Sequence, residues 1–323
     1  MAMNNAIDRM KILVPLDFSP ASLAVLESAF AVARQFHARV VLIQVIEHIE
    51  ALSTTDDKDQ FIQAQSQLMG MAKENLQRHA AKWIYDTGLD IETTVESGVA
   101  ADEICYVASI MQMNLIVIGT QSLAIHSRKI GSTTRRVMDF APCSVLTIPS
   151  SHPRIDFGRI LIPILWSPRV LDKFRMVRRL VKMNHSKVLL VGLTASGERH
   201  ELRRLASLLD FVCGRICDNQ GTCTHKIYHH RLDEFDLPGL LNRFRPELLV
   251  MTSAVEKATR IVGATTPGQA VDSPYRQMPV LSLRRSPQEM TEETPLALES
   301  SLIDLIRTKI AFFGKRPRLS KGG

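Results

Sequence analysis

Short apolar runs alternate with longer amphipathic stretches along the first half of the chain. Continuous apolar runs are typical of buried parallel strands, and they occur at 11–16, 40–46, 115–119 and 144–148. An alternating run at 90–96 predicts a fifth strand. Helical patterns lie between the strands, beginning at the N-cap pair Ser19-Pro20 and continuing at 60–86, 100–111 and 132–140. This order predicts an α/β fold built on an open, doubly wound parallel sheet.

The second half repeats the same alternation. Strands are predicted near 159–164, 187–193, 223–229, 247–252 and 279–283. Helices are predicted at about 168–183, 200–217 and 236–244. Beyond Ser286 a polar, turn-rich stretch predicts a linker, followed by an amphipathic helix from Leu296 to Phe313 and a basic tail.

The two halves are an internal repeat. Residues 11–45 align without a gap onto residues 159–193, so that KILVPLDFSP faces RILIPILWSP. Later segments recur in the same order: NLIVIGT and ELLVMTS, GSTT and GATT, SVLTIP and PVLSLR. The sequence therefore predicts two tandem doubly wound parallel five-stranded sheets, with domains at 1–150 and 151–286 and a linker, helix and basic tail at 287–323.

Composition narrows the class of protein. The chain has 323 residues, of which 45% are hydrophobic and 23% charged, as in a globular protein. The net charge of +7 is concentrated in the tail, where basic residues stand at 307, 309, 315, 316, 318 and 321, so we expect no nucleic-acid-binding face on the folded body. The N-terminus lacks the pattern of a signal peptide and no apolar run could span a bilayer, which together predict a cytoplasmic protein.

Candidate chemistry follows the strand ends of the first half. Ligands of doubly wound sheets bind at the carboxyl ends of the strands, where the strand order reverses. Asp17 follows the first strand, Val45 ends the second, and Gly119 ends the fourth. Gly131-Ser132-Thr133 then opens a helix, where free amide groups and hydroxyls suit a phosphate, although the same residues also suit a plain helix cap.

These residues carry a resemblance to a known family. The V-P-x-D-x-S motif at 14–19, Gly119, the Gly-Ser-Thr turn at 131–133 and A-P-C-x-V-L at 141–146 together resemble the universal stress protein family. The resemblance covers about 11–149 closely and 159–284 more loosely. It implies a Rossmann-like fold of the adenine nucleotide alpha hydrolase type, and pairing of the two halves through their final strands, 144–148 and 279–283.

The resemblance also implies a ligand. Family members with a complete motif bind ATP through residues that correspond here to Pro15, Asp17, Val45, Gly119, Ser122, Gly131, Ser132 and Thr133. Ser122 stands where the family has a second glycine, and the spacer from Ser122 to Gly131 is one residue short. In the second half Leu165 replaces Asp17, Thr252 replaces Gly119, Val255 replaces Ser122 and Ala264 replaces Ser132. We therefore expect a nucleotide site in the first half only, with the second half serving as a structural or dimerisation partner.

Two classes of function remain open. The first is a non-enzymatic stress-response regulator that binds ATP or a related nucleotide as a switch, with Asp17 able to position a Mg²⁺ ion near the phosphates. The second is a nucleotide-free interaction scaffold that acts through a homodimer surface and the C-terminal helix. Catalysis is not expected, because no nucleophile–base set or paired carboxylates stand in a suitable context.

The cysteines and the C-terminal helix each allow two interpretations. Five cysteines without a secretory context make a disulfide framework unexpected. Cys213, Cys217, Cys223 and His225 have spacing compatible with a zinc or redox site, but buried packing is the simpler interpretation, and no metal is predicted. The helix at 296–313 with its basic end suits docking to a membrane or a protein, or simple packing on its own domain.

Overall fold

The fold is described from a computed structural model of the full chain. The structure describes residues 9–47, 58–120, 131–149, 155–165, 174–195, 197–217, 222–229, 236–252 and 278–284. Ser122, Val255, Ala264 and the predicted helix at 296–313 lie outside these residues. None of the helices in the described part is long and apolar enough to cross a membrane.

In the part of the chain that the structure describes, the first half contains five strands and four helices. The strands are β1 Lys11–Pro15, β2 Arg39–Ile46, β3 Ile91–Ser97, β4 Leu115–Gly119 and β5 Ser144–Ile148. The helices are α1 Pro20–Phe36, α2 Lys58–Thr87, α3 Ala100–Ile110 and α4 Ser132–Phe140. Every element predicted in this half is present, and the bounds differ by no more than two residues.

The second half has the same alternation within the residues that the structure describes. Its strands are β6 Arg159–Leu165, β7 Lys187–Thr194, β8 Thr222–His229, β9 Leu248–Thr252 and β10 Val280–Leu283. Its helices are α5 Arg175–Asn184, α6 Arg199–Cys217 and α7 Leu237–Phe244. The first helix of this half was predicted at 168–183, and only the portion from Arg175 onward lies in a described helix.

The ten strands found in the described residues form one sheet with the order β3-β2-β1-β4-β5-β10-β9-β6-β7-β8. Read outward from the central β5–β10 pair, the order is β5-β4-β1-β2-β3 in the first half and β10-β9-β6-β7-β8 in the second. Equivalent strands of the two halves therefore occupy equivalent positions. Neighbours within a half are parallel, whereas β5 and β10 are antiparallel, with Leu146 opposite Leu281. The predicted pairing of the final strands is confirmed, and it merges the two five-stranded sheets into a single ten-stranded one. The domain boundaries at 150 and 286 stay predictions.

Local sequence explains where the first helix of each half begins or ends. The Ser19 hydroxyl accepts a hydrogen bond from the Ser22 amide at 3.2 Å, and Pro20 supplies the first helical residue of α1. His37 ends α1 in a left-handed conformation with φ 50° and ψ 40°. His185, its counterpart in the repeat, ends α5 with the same two angles. The repeat is thus visible in backbone geometry as well as in sequence.

The core lies in two layers, one on each face of the sheet. Alternate strand residues belong to different layers. Ile12 and Val14 lie in the layer that also contains residues of α1, α2, α5 and α6, whereas Leu13 lies in the layer that contains residues of α3, α4 and α7. Both layers continue across the β5–β10 pair, with Leu146 and Leu281 in one layer and Val145 and Val280 in the other. The halves therefore share one core, which fixes the position of each half against the other.

Candidate functional site

The site predicted from sequence lies where the strand order of the first half reverses. β1 has β2 on one side and β4 on the other, and the chain leaves β1 and β4 at the same edge of the sheet because the strands are parallel. Asp17 follows β1 by two residues, and Gly119 is the last residue of β4. This reversal is the position at which doubly wound sheets open a crevice for a ligand.

Asp17 is held in place by the turn that starts α1. Its Oδ1 accepts a hydrogen bond from the Ser19 amide at 2.9 Å. Partial burial disfavours the charged carboxylate, but hydrogen bonds from Ser19 and Ser22 outweigh it and lower the pKa of Asp17 below its usual value. Phe18 turns the chain here with φ 60°, and its ring lies 5.1 Å from that of His79 on α2. Asp17 is thus an oriented, ionised and exposed acceptor.

The two ends of the segment after β4 meet at the same edge. The Gly131 amide donates a hydrogen bond to the Thr120 carbonyl at 3.5 Å, and the Thr120 amide donates to the Ile148 carbonyl at 3.1 Å. The Thr134 hydroxyl donates to the Gly119 carbonyl at 2.7 Å. These bonds join the beginning of α4 to the end of β4, so that α4 begins beside the crevice.

The beginning of α4 suits an anion. Gly131 is its N-cap residue, no side chain caps its first turn by a hydrogen bond, and no acidic residue lies in that turn. The N–H groups of a first turn have no partner inside the helix and carry the positive end of its dipole. Ser132 is exposed and Thr133 partly exposed, so their hydroxyls stand beside these groups. This arrangement can bind a phosphate or a carboxylate.

Three other residues predicted for the site, Pro15, Val45 and Gly119, lie at or near the ends of β1, β2 and β4. Val45 stands near the end of β2, partly buried against the core layer on the α3–α4 face. Pro15 ends β1 opposite Ile43. A Cβ placed on Gly119 would lie 3.3 Å from Cγ2 of Val25, so the strand end has little room for a side chain. Ser122 lies outside the described residues.

At the corresponding edge of the second half, the apolar residue Leu165 stands where the first half has the hydrogen-bond acceptor Asp17. Leu165 ends β6 and packs, partly buried, against the core layer that contains Leu161. Thr252 ends β9 in the position that Gly119 has in β4, and it is buried. An apolar side chain offers a polar ligand no hydrogen bond, so the two edges differ chemically although their strand order is the same.

Sequence reasoning missed two residues that shape this site. Thr134 was considered only as part of the repeated GSTT segment, yet its hydroxyl joins α4 to β4. Ser22 was not considered, although it helps to lower the pKa of Asp17. A hydroxyl residue three positions into a helix, after a serine N-cap, was the available signal for Ser22.

The cysteines of the second half correct one expectation. The structure joins Cys213 on α6 to Cys223 on β8 by a disulfide with a Cα–Cα distance of 5.5 Å, whereas the odd count argued against disulfides. The cause is tertiary: α6 packs on β8 and presents Cys213 to the strand. Cys105, Cys143 and Cys217 are thiols. Among the residues described, no three His, Cys, Asp or Glu side chains are placed to hold a metal ion.

Comparisons with known proteins agree with this architecture. Residues 9–149 match the Universal stress protein family. A universal stress protein of Methanocaldococcus jannaschii is 28% identical over 144 residues, which make up 43% of this chain and 81% of that protein. The family match covers the half that contains Asp17.

Solved structures extend the likeness of the fold to both halves. A universal stress protein from Archaeoglobus fulgidus has a TM-score of 0.61 at 16% identity, over 86% of this chain and 97% of that chain. A functionally unknown protein from Pseudomonas aeruginosa has a TM-score of 0.53 at 13% identity, over 93% of this chain and 98% of that one. The fold of both halves is thus that of the universal stress proteins, and residues 9–149 match that family in sequence.

Proposed function

We propose that the first half of this protein binds ATP or a related adenine nucleotide, and that the protein acts as a non-enzymatic cytoplasmic regulator of a stress response. The observation that carries the proposal is the closure of the chain between Thr120 and Gly131 at the reversal of strand order. This closure supports the proposal, because it brings the uncapped start of α4 to the edge of the sheet where Asp17 stands.

Each part of the site has a distinct role in the proposal. The amides of the first turn of α4 and the hydroxyls of Ser132 and Thr133 receive the phosphates. Asp17 accepts a hydrogen bond from the ribose or the base, or holds a Mg²⁺ ion that neutralises phosphate charge. Pro15 and Val45 provide apolar contact with the base. The uncapped first turn of α4, free of acidic residues, fits this ligand chemistry.

Contacts of α4 support a switch. Arg136 on α4 makes two hydrogen bonds, at 2.8 and 3.0 Å, to the carboxylate of Asp102 on α3. At the other end of α4, the Met138 carbonyl accepts a hydrogen bond from the Arg284 guanidinium, which follows β10 of the second half. A ligand that pulls on the first turn of α4 therefore acts on a helix that touches both halves, and we propose that it changes homodimer association.

The alternative is a scaffold that binds no nucleotide and acts through a dimer surface and the C-terminal helix. The replacement of the acceptor by Leu165 favours this role for the second half. The two functions differ in one measurable property, which is binding of nucleotide by the first half.

The test is nucleotide binding by the full chain. Gently purified protein is analysed by native mass spectrometry, and melting temperature is measured with ATP, ADP and GTP at millimolar concentration with and without Mg²⁺. We expect ATP to co-purify or to raise the melting temperature. Asp17→Ala should weaken binding at least ~10-fold, as expected for loss of a charged hydrogen-bond partner, whereas Leu165→Ala, the matched change in the second half, should leave it unchanged.

The outcomes separate the alternatives. If ATP binds and shifts the dimer equilibrium measured by light scattering, the switch is supported. If no nucleotide co-purifies and none changes the melting temperature, the nucleotide proposal is wrong and the scaffold remains. Equal effects of the Asp17 and Leu165 changes would contradict the assignment of the site to the first half.

A further inference from the structure

A disulfide joins the edge strand of the second half, β8, to helix α6. Within the residues that the structure describes, β8 is the last strand of the sheet and pairs only with β7, from Lys187 opposite Thr222 to Thr194 opposite His229. Cys223, near the beginning of β8, is bonded to Cys213 on α6. An edge strand with one hydrogen-bonded neighbour is among the easiest elements of a sheet to open locally.

The noncovalent contacts between β8 and α6 lie partly at the protein surface. Its side chains alternate between exposed and partly buried, in contrast to the continuous burial of β7. Cys223 and Ile227 pack partly buried against the core layer under α6. The His225 Nδ1 lies 3.5 Å from Oδ1 of Asp210 on α6, and that pair is exposed on the Asp210 side. The disulfide is therefore the strongest single link between the strand and its helix.

We propose that Cys213 and Cys223 form a reversible thiol–disulfide switch that controls the opening of β8 and the end of α6. The oxidant is a low-molecular-weight disulfide such as oxidised glutathione. One protein thiolate attacks it and releases one small thiol, forming a mixed disulfide. The second protein thiolate then displaces the other small thiol. One protein dithiol and one small disulfide thus become one protein disulfide and two small thiols, and a dithiol reductant reverses the step.

Solvent exposure favours reaction of Cys213 and Cys223 over reaction of Cys217, the third cysteine of this region. Cys213 and Cys223 are both partly exposed, so a small disulfide can approach them. Cys217 stands one turn further along α6, but it is buried to 6% exposure, and burial raises its thiol pKa to about 11. Cys217 is therefore a poor nucleophile on the same helix, and it provides a matched control.

This switch is independent of the nucleotide site. The Cys213–Cys223 link lies at the β8 edge of the second half, whereas Asp17 and Gly131 lie at the β1–β4 reversal of the first. Loss of nucleotide binding would leave the redox inference untouched, and the reverse holds as well.

The test begins with a count of thiols in the full-length protein. After treatment with oxidised glutathione and removal of excess, the protein is unfolded in urea, alkylated and weighed. We expect three alkylated cysteines without reductant and five after dithiothreitol, out of five in the chain. Peptide mapping should place the bond between Cys213 and Cys223, and Cys217→Ser should leave this pattern unchanged except for one fewer alkylation.

Hydrogen–deuterium exchange then measures how reduction of the disulfide changes the local opening of β8. Reduction of the wild-type protein should speed amide exchange in Thr222–His229 by ~10- to 100-fold, because a closed loop of this size restricts opening by that order. Exchange in β1 and β4 should not change. Cys213→Ser and Cys223→Ser should exchange rapidly with or without reductant, whereas Cys217→Ser should respond as the wild type does.

Three results would overturn the proposal. They are five alkylated cysteines after exposure to oxidised glutathione, a bond that pairs Cys217 instead, or identical exchange of β8 in the oxidised and reduced wild-type protein. The last measurement needs no variant, so it decides the matter even if a serine variant folds poorly.

Discussion

Gln35 and Asn184 exchange two amide hydrogen bonds between the equivalent helices of the two halves. The Gln35 Nε2 donates to the Asn184 Oδ1 at 3.1 Å, and the Asn184 Nδ2 donates to the Gln35 Oε1 at 3.3 Å. Beside them, the Arg179 guanidinium donates to the Phe36 carbonyl at 3.0 Å and lies over the Phe36 ring. The halves are thus joined by α1 and α5 as well as by the β5–β10 pair.

We expect Gln35 and Asn184 to be energetically coupled. Gln35→Ala and Asn184→Ala should each lower the free energy of unfolding by about 1 kcal/mol, since each leaves a partly buried amide without its partner. The double variant should lose less than the sum of the single losses, with a coupling of about 0.5–1.5 kcal/mol.

Urea unfolding measures this coupling in a double-mutant cycle. Gln77→Ala, on an exposed position of α2, is the control and should change stability by less than about 0.5 kcal/mol. Strict additivity of the Gln35 and Asn184 changes would show that the pair contributes nothing to the contact between the halves.

Gly192 should not tolerate a methyl group. It lies in β7 under α6, and a Cβ there would stand 2.7 Å from Cδ1 of Leu209 and 3.0 Å from Cγ of Leu205. Gly192→Ala should therefore cost about 1–3 kcal/mol of stability through overpacking.

Gly70 in α2 is the matched control for Gly192. A Cβ at Gly70 would meet no atom within 4 Å, so Gly70→Ala should stabilise the helix by about 0.5–1 kcal/mol. Thermal or urea unfolding of the two variants should give opposite signs. A stable Gly192→Ala protein would mean that α6 packs further from β7 than described.

Asp17 should titrate below its ordinary range. Its pKa in the folded protein is lower than the ordinary aspartate value of 3.8, so its contribution to stability is present above pH 3.8 and is lost as the pH falls through the folded-state pKa. Asp17→Ala should thus be less stable than the wild type at pH 7, by up to about 1 kcal/mol, and the difference should shrink at lower pH.

An NMR titration of the Asp17 carboxyl carbon checks the direction of the pKa shift. A midpoint below 3.8 agrees with hydrogen bonding from Ser19 and Ser22. A midpoint above that value would show that desolvation wins, and would remove the argument that the carboxylate is ionised for a ligand.

Cys143 should resist alkylation in the folded protein. Burial is the main cause that raises its thiol pKa to about 12. At pH 8 only about one Cys143 in ten thousand would then be a thiolate. With iodoacetamide, the native reduced protein should leave Cys143 and Cys217 unmodified, and both should react in urea. Rapid native modification of Cys143 would contradict its place in the core.

Much of the architecture is already contained in local patterns. Apolar runs located the strands within one or two residues, and Ser19-Pro20 located the start of α1, because burial and backbone preference are encoded by neighbouring residues. The exchange of Asp17 for Leu165 was likewise readable from the repeat. The family resemblance supplied the pairing of the two final strands, which the structure confirms, and the structure shows that this pair, β5 and β10, is antiparallel.

By itself, the sequence determined the alternation of strands and helices, the repetition of the unit and the place of the Asp17–Gly131 edge. The tertiary structure alone decided which distant side chains meet. Gln35 donates a hydrogen bond to Asn184, and the Thr134 hydroxyl donates one to the Gly119 carbonyl. Cys213 forms a disulfide with Cys223. The physical reason is that periodicity fixes which face of an element is buried, whereas contacts between elements depend on how helices cross the sheet, and that is set by the packing of the whole core.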